Sequence, residues 1–442
     1  MKKVITYGTY DLFHYGHQRL LERAKDLGDY LIVGVTADDF DKTRGKINVK
    51  QSLMERIESV RATGLADEII IEEYEGQKID DIKRFDVDIF TVGSDWVGYF
   101  DYLKEYCDVV YLERTEGVSS SDIRSKNRNI NLGLIGEGNV LKKFYDESKY
   151  VNGIVVNAIS VDNENEEKCY ENEDLILAKD YDELLPLVDA VYIVSHPTKH
   201  YEQVKKALSQ GKHVLCESPF ALNEKESIEL QNLANENDLI LMDSIKTAYS
   251  TAYNRLLLLL KGGKIGEVYS VDATCTSIRE YDDSSWNSIT AWAPTALLPI
   301  FQILGVDYKD RTINSLIMEN KDNFDLFTKI DFLYEHAVAS IKVANSVKSE
   351  GELIISGSEG YAYVPAPWWK TDYFELRFEN LEDNKKYFYQ LDGEGIRYEL
   401  VAFAKSIELN KNNTYIDSDI SNAICKIIED FENKDVNYIQ KY

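Results

Sequence analysis

Short apolar or β-branched runs alternate with amphipathic stretches from the first residues of the chain, and this alternation constrains the fold more than any other feature. The runs cover residues 3–8, 30–36, 68–72, 88–93 and 108–112. The amphipathic stretches between them include His17–Leu27, Ser52–Leu65 and Ile79–Phe85. Strands and helices that alternate at this spacing indicate a parallel sheet with helices on both faces. The first part of the chain is therefore predicted to be an α/β domain.

The alternation is interrupted once and then starts again. Residues 123–130, IRSKNRNI, are polar and basic and lack periodicity, which is typical of a linker. A new strand follows at NLGLIGEGNV. Further strands are predicted at GIVVNAISV, DAVYIVS and KHVLCES, with a helix at HYEQVKKALSQ. The restart predicts a domain boundary near residue 128.

Beyond residue 247 the pattern changes to long runs in which apolar and polar residues alternate. Such runs are EVYSVDATCTSI, FTKIDFLYEHAVASIKVA, ELIISGSEGYAYV and YFELRFENLEDNKKYFYQL. They predict a large, mostly antiparallel sheet with one covered face, followed by C-terminal helices. The chain is therefore expected to be an α/β protein of three domains, with the bounds 1–127, 128–247 and 248–442.

Charge and composition exclude several classes of partner. A formal charge of −27 disfavours binding to nucleic acid or to an anionic membrane. The five cysteines are scattered without CxxC spacing, which suits free thiols in a reducing cytoplasm. Residues 284–306 carry no charge and are long enough to span a bilayer. Because Pro294, Pro299 and several polar residues interrupt this segment, it is interpreted as a buried helix and loop that line a pocket. A cytoplasmic protein without a membrane span is predicted.

Two of the six histidines, His14 and His17, lie where the first strand gives way to a helix, in TYGTYDLFHYGHQRL. A helix N-terminus at the carboxyl edge of a parallel sheet attracts anions through its unpaired N–H groups. Histidines three positions apart lie on one helix face, so both rings can reach the same phosphate. Such a pair can also be two exposed histidines without a binding role, but its position after an N-terminal strand favours a phosphate site.

At this point the sequence resembles a known family. The stretch that contains His14 and His17 is similar to the HxGH signature of nucleotidyltransferases, most closely that of bacterial glycerol-3-phosphate cytidylyltransferases. YLERTEGVSSSDIR (111–124) is similar to the RTxGxST motif of that family, and GSDWVGYFDYLKEYCDVVYL (93–112) is a third match. The resemblance covers residues 1 to about 126 and implies a Rossmann-like nucleotidyltransferase domain.

The same resemblance implies a set of site residues. The catalytic residues would be His14, His17, Lys46 and Arg114. The nucleotide would also contact Thr9, Tyr10, Asp11, Asp95, Trp96, Thr115, Ser119, Ser120 and Ser121. The forked, fixed charge of an arginine suits bidentate phosphate contacts. SSSD reads as a capped helix start whose hydroxyl and N–H groups suit pyrophosphate, although three serines also make an ordinary loop. Taken singly, Lys46 also reads as a mobile loop lysine and Arg114 as a solvated strand end.

The implied activity is transfer of a cytidylyl group from CTP to glycerol 3-phosphate or a similar small polyol phosphate. Catalysis is then positioning plus charge neutralisation, since the anionic acceptor attacks the α-phosphorus in line and pyrophosphate leaves. Mg²⁺ is expected through the phosphates, with no metal site formed by the protein itself. Residues 50–69 keep Arg56 but resemble the family less, so they are expected to shape the acceptor pocket. Products of this kind typically feed teichoic-acid or capsule polymers.

The second region opens with a glycine pair after a strand, in LGLIGEGNVLKKF. Such a pair is a weak dinucleotide-binding signal. VDAVYIVSHPTKHYEQVKKALSQGKHVLCESPFAL (188–222) resembles the Gfo/Idh/MocA oxidoreductases, and further matches extend the resemblance over about 130–435. It implies a Rossmann dinucleotide-binding domain followed by an α+β sheet domain. NAD(P) would be contacted by Gly136, Gly138, Asp162, His200 and Glu217.

The acid–base residues of that family are incomplete here. Its Glu-Lys-Pro motif reads Glu217-Ser218-Pro219, and a serine cannot transfer protons at neutral pH without a base. SITAWAPTALLPIFQILG has neither the acid nor the histidine expected, and Lys246 is a candidate substitute. Three interpretations stay open: a cytidylyltransferase alone, a bifunctional enzyme that also oxidises or reduces a polyol-phosphate precursor, or a C-terminal binding or dimerisation module. A homo-oligomer is expected.

Overall fold

The computed structural model shows two compact units, Met1–Arg128 and Asn129–Tyr442. The first is called the first unit and the second the second unit below. The residues that the structure describes are 1–37, 51–74, 76–113, 130–136, 138–151, 153–161, 170, 173, 175–278, 286–318, 324–389, 391–411, 414–433 and 435–441.

The first unit is built on a five-stranded parallel sheet in the order β3-β2-β1-β4-β5. Its strands are β1 (Lys3–Gly8), β2 (Tyr30–Thr36), β3 (Glu68–Glu72), β4 (Ile89–Gly93) and β5 (Asp108–Leu112). Its helices are α1 (Tyr15–Lys25), α2 (Leu53–Ala62) and α3 (Gln77–Phe85), with 3-10 turns at Ser94–Trp96 and Asp101–Glu105. The strands match the predicted runs because both faces of a parallel sheet are buried, which demands continuous apolar sequence.

Local sequence explains where α2 begins. Ser52 is its N-cap and accepts a hydrogen bond from the backbone N–H of Glu55, whose carboxylate accepts in turn from the backbone N–H of Ser52. This reciprocal capping box satisfies two backbone donors that a helix start leaves unpaired. The start of α2 is therefore well defined, and the residues beside it can serve as a fixed support.

The second unit begins with a six-stranded parallel sheet in the order β11-β10-β9-β6-β7-β8. The strands are β6 (Ile130–Gly136), β7 (Ile154–Val161), β8 (Ile176–Leu177), β9 (Ala190–Val194), β10 (His213–Glu217) and β11 (Leu241–Ser244). The helices are α4 (Gly138–Ser148), α5 (Tyr181–Leu184), α6 (Pro197–Ser209) and α7 (Glu224–Glu236). Counted along the chain, this is the 3-2-1-4-5-6 order of a Rossmann domain, the fold that the resemblance implied.

A nine-stranded mixed sheet follows in the order β19-β18-β17-β16-β12-β15-β14-β13-β20. Its strands are β12 (Val268–Thr276), β13 (Asp310–Met318), β14 (Asp325–Leu333), β15 (Val338–Ala344), β16 (Leu353–Gly357), β17 (Gly360–Val364), β18 (Tyr373–Phe378), β19 (Lys385–Phe388) and β20 (Asn437–Lys441). The remaining helices are α8 (Thr251–Lys261), α9 (Ser288–Leu304), α10 (Ile396–Glu408) and α11 (Ser418–Glu432), with a 3-10 turn at Lys246–Tyr249. Two neighbouring pairs, β12 with β15 and β13 with β20, are parallel, and the others are antiparallel.

The uncharged segment of the sequence forms α9, which continues through both Pro294 and Pro299. Most of its side chains are buried, so its apolar character serves the protein core. Asp325 lies under its first turn and accepts from the backbone N–H of Ile289 at 3.1 Å. Among the described residues, no helix has the length and apolar character needed to cross a bilayer.

Candidate functional site

The first unit has its crevice next to β1, where the order in which strands join the sheet reverses. β1 pairs in parallel with β2 on one side and with β4 on the other. Loops that follow two such neighbouring strands diverge at the carboxyl edge and leave an opening between them, where ligands of α/β proteins bind. β1 is followed by the turn 9–14 and β4 by the 3-10 turn Ser94–Trp96. The predicted residues Thr9, Tyr10, Asp11, His14 and Trp96 are therefore brought to one edge.

His14 and His17 lie together at the start of α1. Their rings stack, with centroids 3.9 Å apart and 19° between the planes. The second ring also packs against Phe13 at 5.5 Å and against the edge of Tyr10 at 5.5 Å. The two imidazoles thus present one surface at the N-terminus of the helix, where the helix dipole favours negative charge.

The tautomer of His14 follows from its backbone contacts. It is the N-cap of α1, and its Nδ1 accepts a hydrogen bond from the backbone N–H of Gly16 at 3.1 Å. A neutral imidazole that accepts at one nitrogen carries its proton on the other, so Nε2 is the donor. Burial lowers the pKa of His14, which favours this neutral form. The ring is therefore set to donate to a ligand oxygen.

The turn before α1 holds two residues in the left-handed backbone region. Tyr10 has φ 54° and Leu12 has φ 48°. For ordinary L-residues this region costs about 1–2 kcal/mol per residue, and it persists only where surrounding contacts impose it. Tyr10 is 1% exposed and lies against Gly8, where a Cβ would come within 3.0 Å of its ring. Glycine at this position therefore makes room for the tyrosine on which His17 rests.

Arg56 also contributes to this edge of the sheet, and the sequence alone assigned it no defined role. It lies on α2, is fully buried, and donates from Nη1 to the backbone carbonyl oxygens of Thr9 at 2.7 Å and Thr36 at 2.8 Å. It was expected to belong to a stretch that shapes the acceptor pocket, but these contacts make it a support of the turn after β1. The amphipathic sequence LMERIESV gives no sign of this role, because an arginine is ordinary on the polar face of such a helix.

The far side of the crevice is aromatic. Trp96 is 38% exposed and packs on Tyr99 at 5.4 Å and on the buried Phe100 at 5.8 Å between ring centroids. The indole is thereby held by two aromatic rings and remains partly exposed. Asp95 belongs to the same 3-10 turn.

Several predicted site residues lie outside the described residues: Lys46, Arg114, Thr115, Ser119, Ser120, Ser121 and Asp162. The structure describes the chain up to Glu113, just before Arg114. Arg23 of α1 donates from Nη1 to the backbone carbonyl oxygen of Glu113 at 2.6 Å. Glu113 therefore lies beside α1.

The comparisons with known proteins decide the family of the first unit. The family described as cytidylyltransferase-like matches residues 5–126. Glycerol-3-phosphate cytidylyltransferase of Bacillus spizizenii is 53% identical over 124 residues, which cover 28% of this chain and 95% of that protein. The Staphylococcus aureus protein of the same name is 50% identical over 129 residues, with the same coverage of 28% and 95%. The chain belongs to the cytidylyltransferase family. The resemblance stated for residues 1–126 is confirmed, and the first unit is a cytidylyltransferase.

In the second unit of this cytidylyltransferase, Gly136 ends β6, the strand at which the order of the sheet reverses. It has φ 142°, and a Cβ there would lie 2.6 Å from the backbone carbonyl of Val194. Only glycine fits this combination of backbone angle and space. α4 begins at Gly138, so a helix N-terminus follows the carboxyl end of β6, as a dinucleotide pyrophosphate requires.

His200 was predicted to contact a dinucleotide, but its surroundings assign it another task. It is fully buried, and its ring nitrogens lie 2.6 Å from the carbonyl oxygen of Ser195 and 2.8 Å from that of Pro219. Burial lowers its pKa to about 4, so the neutral ring donates to one of these carbonyls. These contacts hold the turns after β9 and β10 together.

A group of polar side chains lies around the carboxyl ends of β10 and β11. Glu217 and Ser244 are paired in the sheet register. Tyr192 donates to Glu217 at 2.6 Å, and Ser244 donates to the buried Glu399 of α10 at 3.0 Å. Burial raises the pKa of both carboxyls, and the charge of Lys246 opposes this rise. The charge of Lys246 thus acts on both carboxyl groups. Ser218, which follows Glu217, is 6% exposed.

The comparisons also cover this unit. The family described as oxidoreductases with an NAD-binding Rossmann fold matches residues 130–244, which confirms the predicted Gfo/Idh/MocA resemblance. scyllo-Inositol 2-dehydrogenase (NADP(+)) of Bacillus subtilis is 41% identical over 95 residues, 21% of this chain and 28% of that protein. The 3-ketoreductase KijD10 from Actinomadura kijaniata, in complex with NADP and TDP-benzene, matches with a TM-score of 0.64 at 17% identity, over 71% of this chain and 100% of that one. This last likeness establishes the shared fold.

Proposed function

We propose that the first unit transfers the cytidylyl group of CTP to glycerol 3-phosphate, giving CDP-glycerol and pyrophosphate. The observation that carries the proposal is the 53% identity to a glycerol-3-phosphate cytidylyltransferase over 95% of that protein. The paired rings of His14 and His17 at the mouth of the crevice supply donors of the kind that a triphosphate needs. A related small polyol phosphate is the alternative acceptor.

In this proposal a phosphate oxygen of glycerol 3-phosphate attacks the α-phosphorus of CTP. The new P–O bond forms while the bond to the bridging oxygen of the β-phosphate breaks, and pyrophosphate leaves. No proton need be removed from the acceptor, which is already an anion. Negative charge grows on the oxygens of the α-phosphate, and Nε2–H of His14 is set to donate to one of them. His17, stacked on His14, would donate to the same group.

The remaining predicted residues would complete this site. Lys46 and Arg114 would neutralise phosphate charge, with the hydroxyls of Thr115, Ser119, Ser120 and Ser121 on the triphosphate and Asp95 and Trp96 on the nucleotide. Mg²⁺ would be bound through the phosphates of CTP, where it supplies positive charge. Among the residues that the structure describes, no group of three His, Cys, Asp or Glu side chains could hold a metal ion.

The test is product analysis by mass spectrometry. The full chain is incubated with each nucleoside triphosphate and a panel of phosphorylated alcohols. CDP-glycerol from CTP and glycerol 3-phosphate is the expected main product. Faster turnover of another polyol phosphate would contradict glycerol 3-phosphate as the acceptor. A preference for ATP or UTP would contradict CTP as the nucleotide.

We infer a second function for the second unit: binding of NAD(P) and, through Lys246, proton transfer in the oxidation or reduction of a polyol-phosphate precursor. Gly136 and the start of α4 fit the pyrophosphate of such a cofactor. NAD(P), when bound, accepts or supplies a hydride. Lys246 would hold at its Nζ the proton that leaves or enters the substrate hydroxyl. The charge of Lys246 acts on the carboxyls of both Glu217 and Glu399, which supports a place in this polar group. The serine at position 218 cannot transfer a proton at neutral pH without a base.

This second function is tested by titrating the protein with NADH and NADPH and following tryptophan fluorescence, then by following absorbance at 340 nm over a panel of polyol phosphates. Quenching together with turnover that is lost in Lys246→Met is expected. Fluorescence quenching without turnover would indicate that the second unit only binds the cofactor. If the fluorescence does not change, the interpretation as a dimerisation module remains. A cytoplasmic homo-oligomer that supplies a cell-surface polymer is part of the same proposal.

A further inference from the structure

Gln51 holds the turn that precedes the two histidines, through two contacts that reach it from the start of α2. The side-chain carbonyl oxygen of Gln51 accepts from the backbone N–H of Leu12 at 2.7 Å. The backbone N–H of Gln51 donates to Oδ1 of Asp11 at 3.0 Å. The side chain thus fixes the backbone of one turn residue, and the main chain fixes the carboxylate of its neighbour.

The residue held in this way is one that needs support. Leu12 is a non-glycine residue with φ 48°, and Tyr10, two positions earlier, has φ 54°. Residues in this backbone region relax to other angles unless their contacts prevent it. Burial of its ring holds Tyr10 in place, whereas the Leu12 N–H is held by Gln51.

Gln51 is itself rigidly supported. It directly precedes Ser52, the N-cap of α2, whose capping box fixes the helix start. Arg56, one turn into α2, donates from Nε to the backbone carbonyl oxygen of Gln51 at 3.2 Å and from Nη1 to that of Thr9. The start of α2 therefore contacts the turn at Thr9, Asp11 and Leu12.

The consequence reaches His14, which follows Leu12 by two residues and caps α1. The direction of its Nε2–H bond depends on where the turn places the N-cap residue of the helix. Small displacements of a catalytic group, of about 1 Å, can lower a rate on the order of 10²-fold. We propose that Gln51 is a positioning residue of cytidylyl transfer, which acts by holding Leu12 so that His14 and His17 meet the α-phosphate.

Two variants test this, with a readout that a merely structural role would not move. Gln51→Met keeps the length of the side chain but removes its acceptor oxygen, so kcat should fall on the order of 10-fold to 10²-fold with little change in Tm. Gln51→Glu keeps an acceptor oxygen but adds charge beside Asp11, so kcat should largely recover while KM for CTP rises. Gln18→Met, the same change on the exposed face of α1, is the matched control.

A wild-type kcat in Gln51→Met, or equal loss of kcat in Gln51→Glu and Gln51→Met, would overturn the proposal. The proposal rests on the proposed function only for its turnover assay. A second measurement is therefore made without an acceptor: ¹⁵N-histidine NMR of the full chain, where Gln51→Met should weaken the preference of His14 for the Nε2–H tautomer. An unchanged tautomer would also overturn it. Absence of CDP-glycerol in the wild type as well as the variants would count against the acceptor and not against Gln51.

Discussion

The rings of His14 and His17 are stacked 3.9 Å apart, although only one of them caps the helix. The cap bond from Gly16 fixes the first ring, and the stack and the neighbouring Tyr10 fix the second. The two donors are thus held before substrate arrives. Preorganised donors stabilise charge without reorganisation at the moment of reaction, which is why such groups contribute strongly to rate.

Replacement of either histidine should therefore lower turnover sharply. His14→Ala and His17→Ala are each expected to reduce kcat on the order of 10²–10³-fold, as with loss of an oxyanion donor. The double variant should lose less than the product of the two, because the rings act as one unit. Pyrophosphate release from CTP and glycerol 3-phosphate measures the effect, with the exposed His336→Ala as control. Pyrophosphate release at the wild-type rate in His14→Ala would contradict the assignment of this site.

The cap contact of His14 predicts a dependence on acid. Its pKa is lowered by burial, so the unfolded chain takes up this proton more readily than the folded one. The first unit should consequently lose stability as pH falls below about 6.5, the ordinary histidine value. NMR titration of the His14 ring should give a midpoint below that value. His14→Asn keeps an N-cap acceptor without titrating, and its Tm should fall less between pH 7 and 5.

The buried guanidinium of Arg56 makes a prediction about stability. Arg56→Met removes the donors to the carbonyl groups of Thr9, Thr36 and Gln51. Leaving these acceptors unpaired should lower the free energy of unfolding of the first unit by about 2–4 kcal/mol. Arg19→Met, which removes a surface ion pair with Glu22, should change it by about 1 kcal/mol or less. Thermal unfolding followed by circular dichroism compares the two, and equal losses would contradict the role of Arg56.

The strands of the first unit were predictable to within a residue, whereas its turn was not. Continuous apolar runs are dictated by burial on both faces, and that signal is local. The start of α1 was placed at His17, two residues beyond Tyr15, because a histidine as N-cap has no strong sequence signature. The left-handed residues Tyr10 and Leu12 were not predicted. Burial of its ring holds Tyr10, and Gln51, which is 39 residues away in the sequence, holds Leu12.

The second unit shows the same limit. The sequence predicted alternating strands and helices and, through the resemblance, a Rossmann domain, but not the environment of Glu217. Glu399 joins that group from α10, 155 residues from Ser244, in a helix whose apolar sequence YELVAFA hides a buried acid. His200 was interpreted as a ligand residue because the motif placed it near the crevice. Its burial between two backbone carbonyls depends on tertiary contacts that the motif does not record.

Gly136 offers a prediction that separates the two units. Gly136→Ala adds a Cβ only 2.6 Å from the backbone carbonyl of Val194 at a φ of 142°. The turn into α4 must shift, so the fluorescence change on addition of NADPH should be lost. Cytidylyl transfer by the first unit should persist. Val140→Ala, an exposed change on the same helix, should leave both properties intact. Full retention of the NADPH response in Gly136→Ala would exclude this turn as the cofactor site.

Asp325 predicts a pH dependence of opposite sign to that of His14. Burial raises its pKa from the ordinary 3.8 to about 7, although it accepts hydrogen bonds from Ile289 and Thr328. Its proton is therefore bound more tightly in the folded protein than in the unfolded chain. Stability from this group is present at about pH 4 and is lost as pH rises through 7, since folding then confines an uncompensated charge.

Asp325→Asn should remove this dependence. The amide keeps an oxygen for the N–H of Ile289 and offers an N–H to the hydroxyl of Thr328, which can donate onward to Ser315. We expect the Tm of the variant to exceed that of the wild type at pH 8 and the difference to shrink or reverse at pH 5. Differential scanning calorimetry of the full chain at both values measures it, with Asp331→Asn on the same strand as control. A variant that is destabilised equally at both pH values would mean that Asp325 is charged in the folded protein and that its carboxylate, as a cap of α9, outweighs the effect of burial.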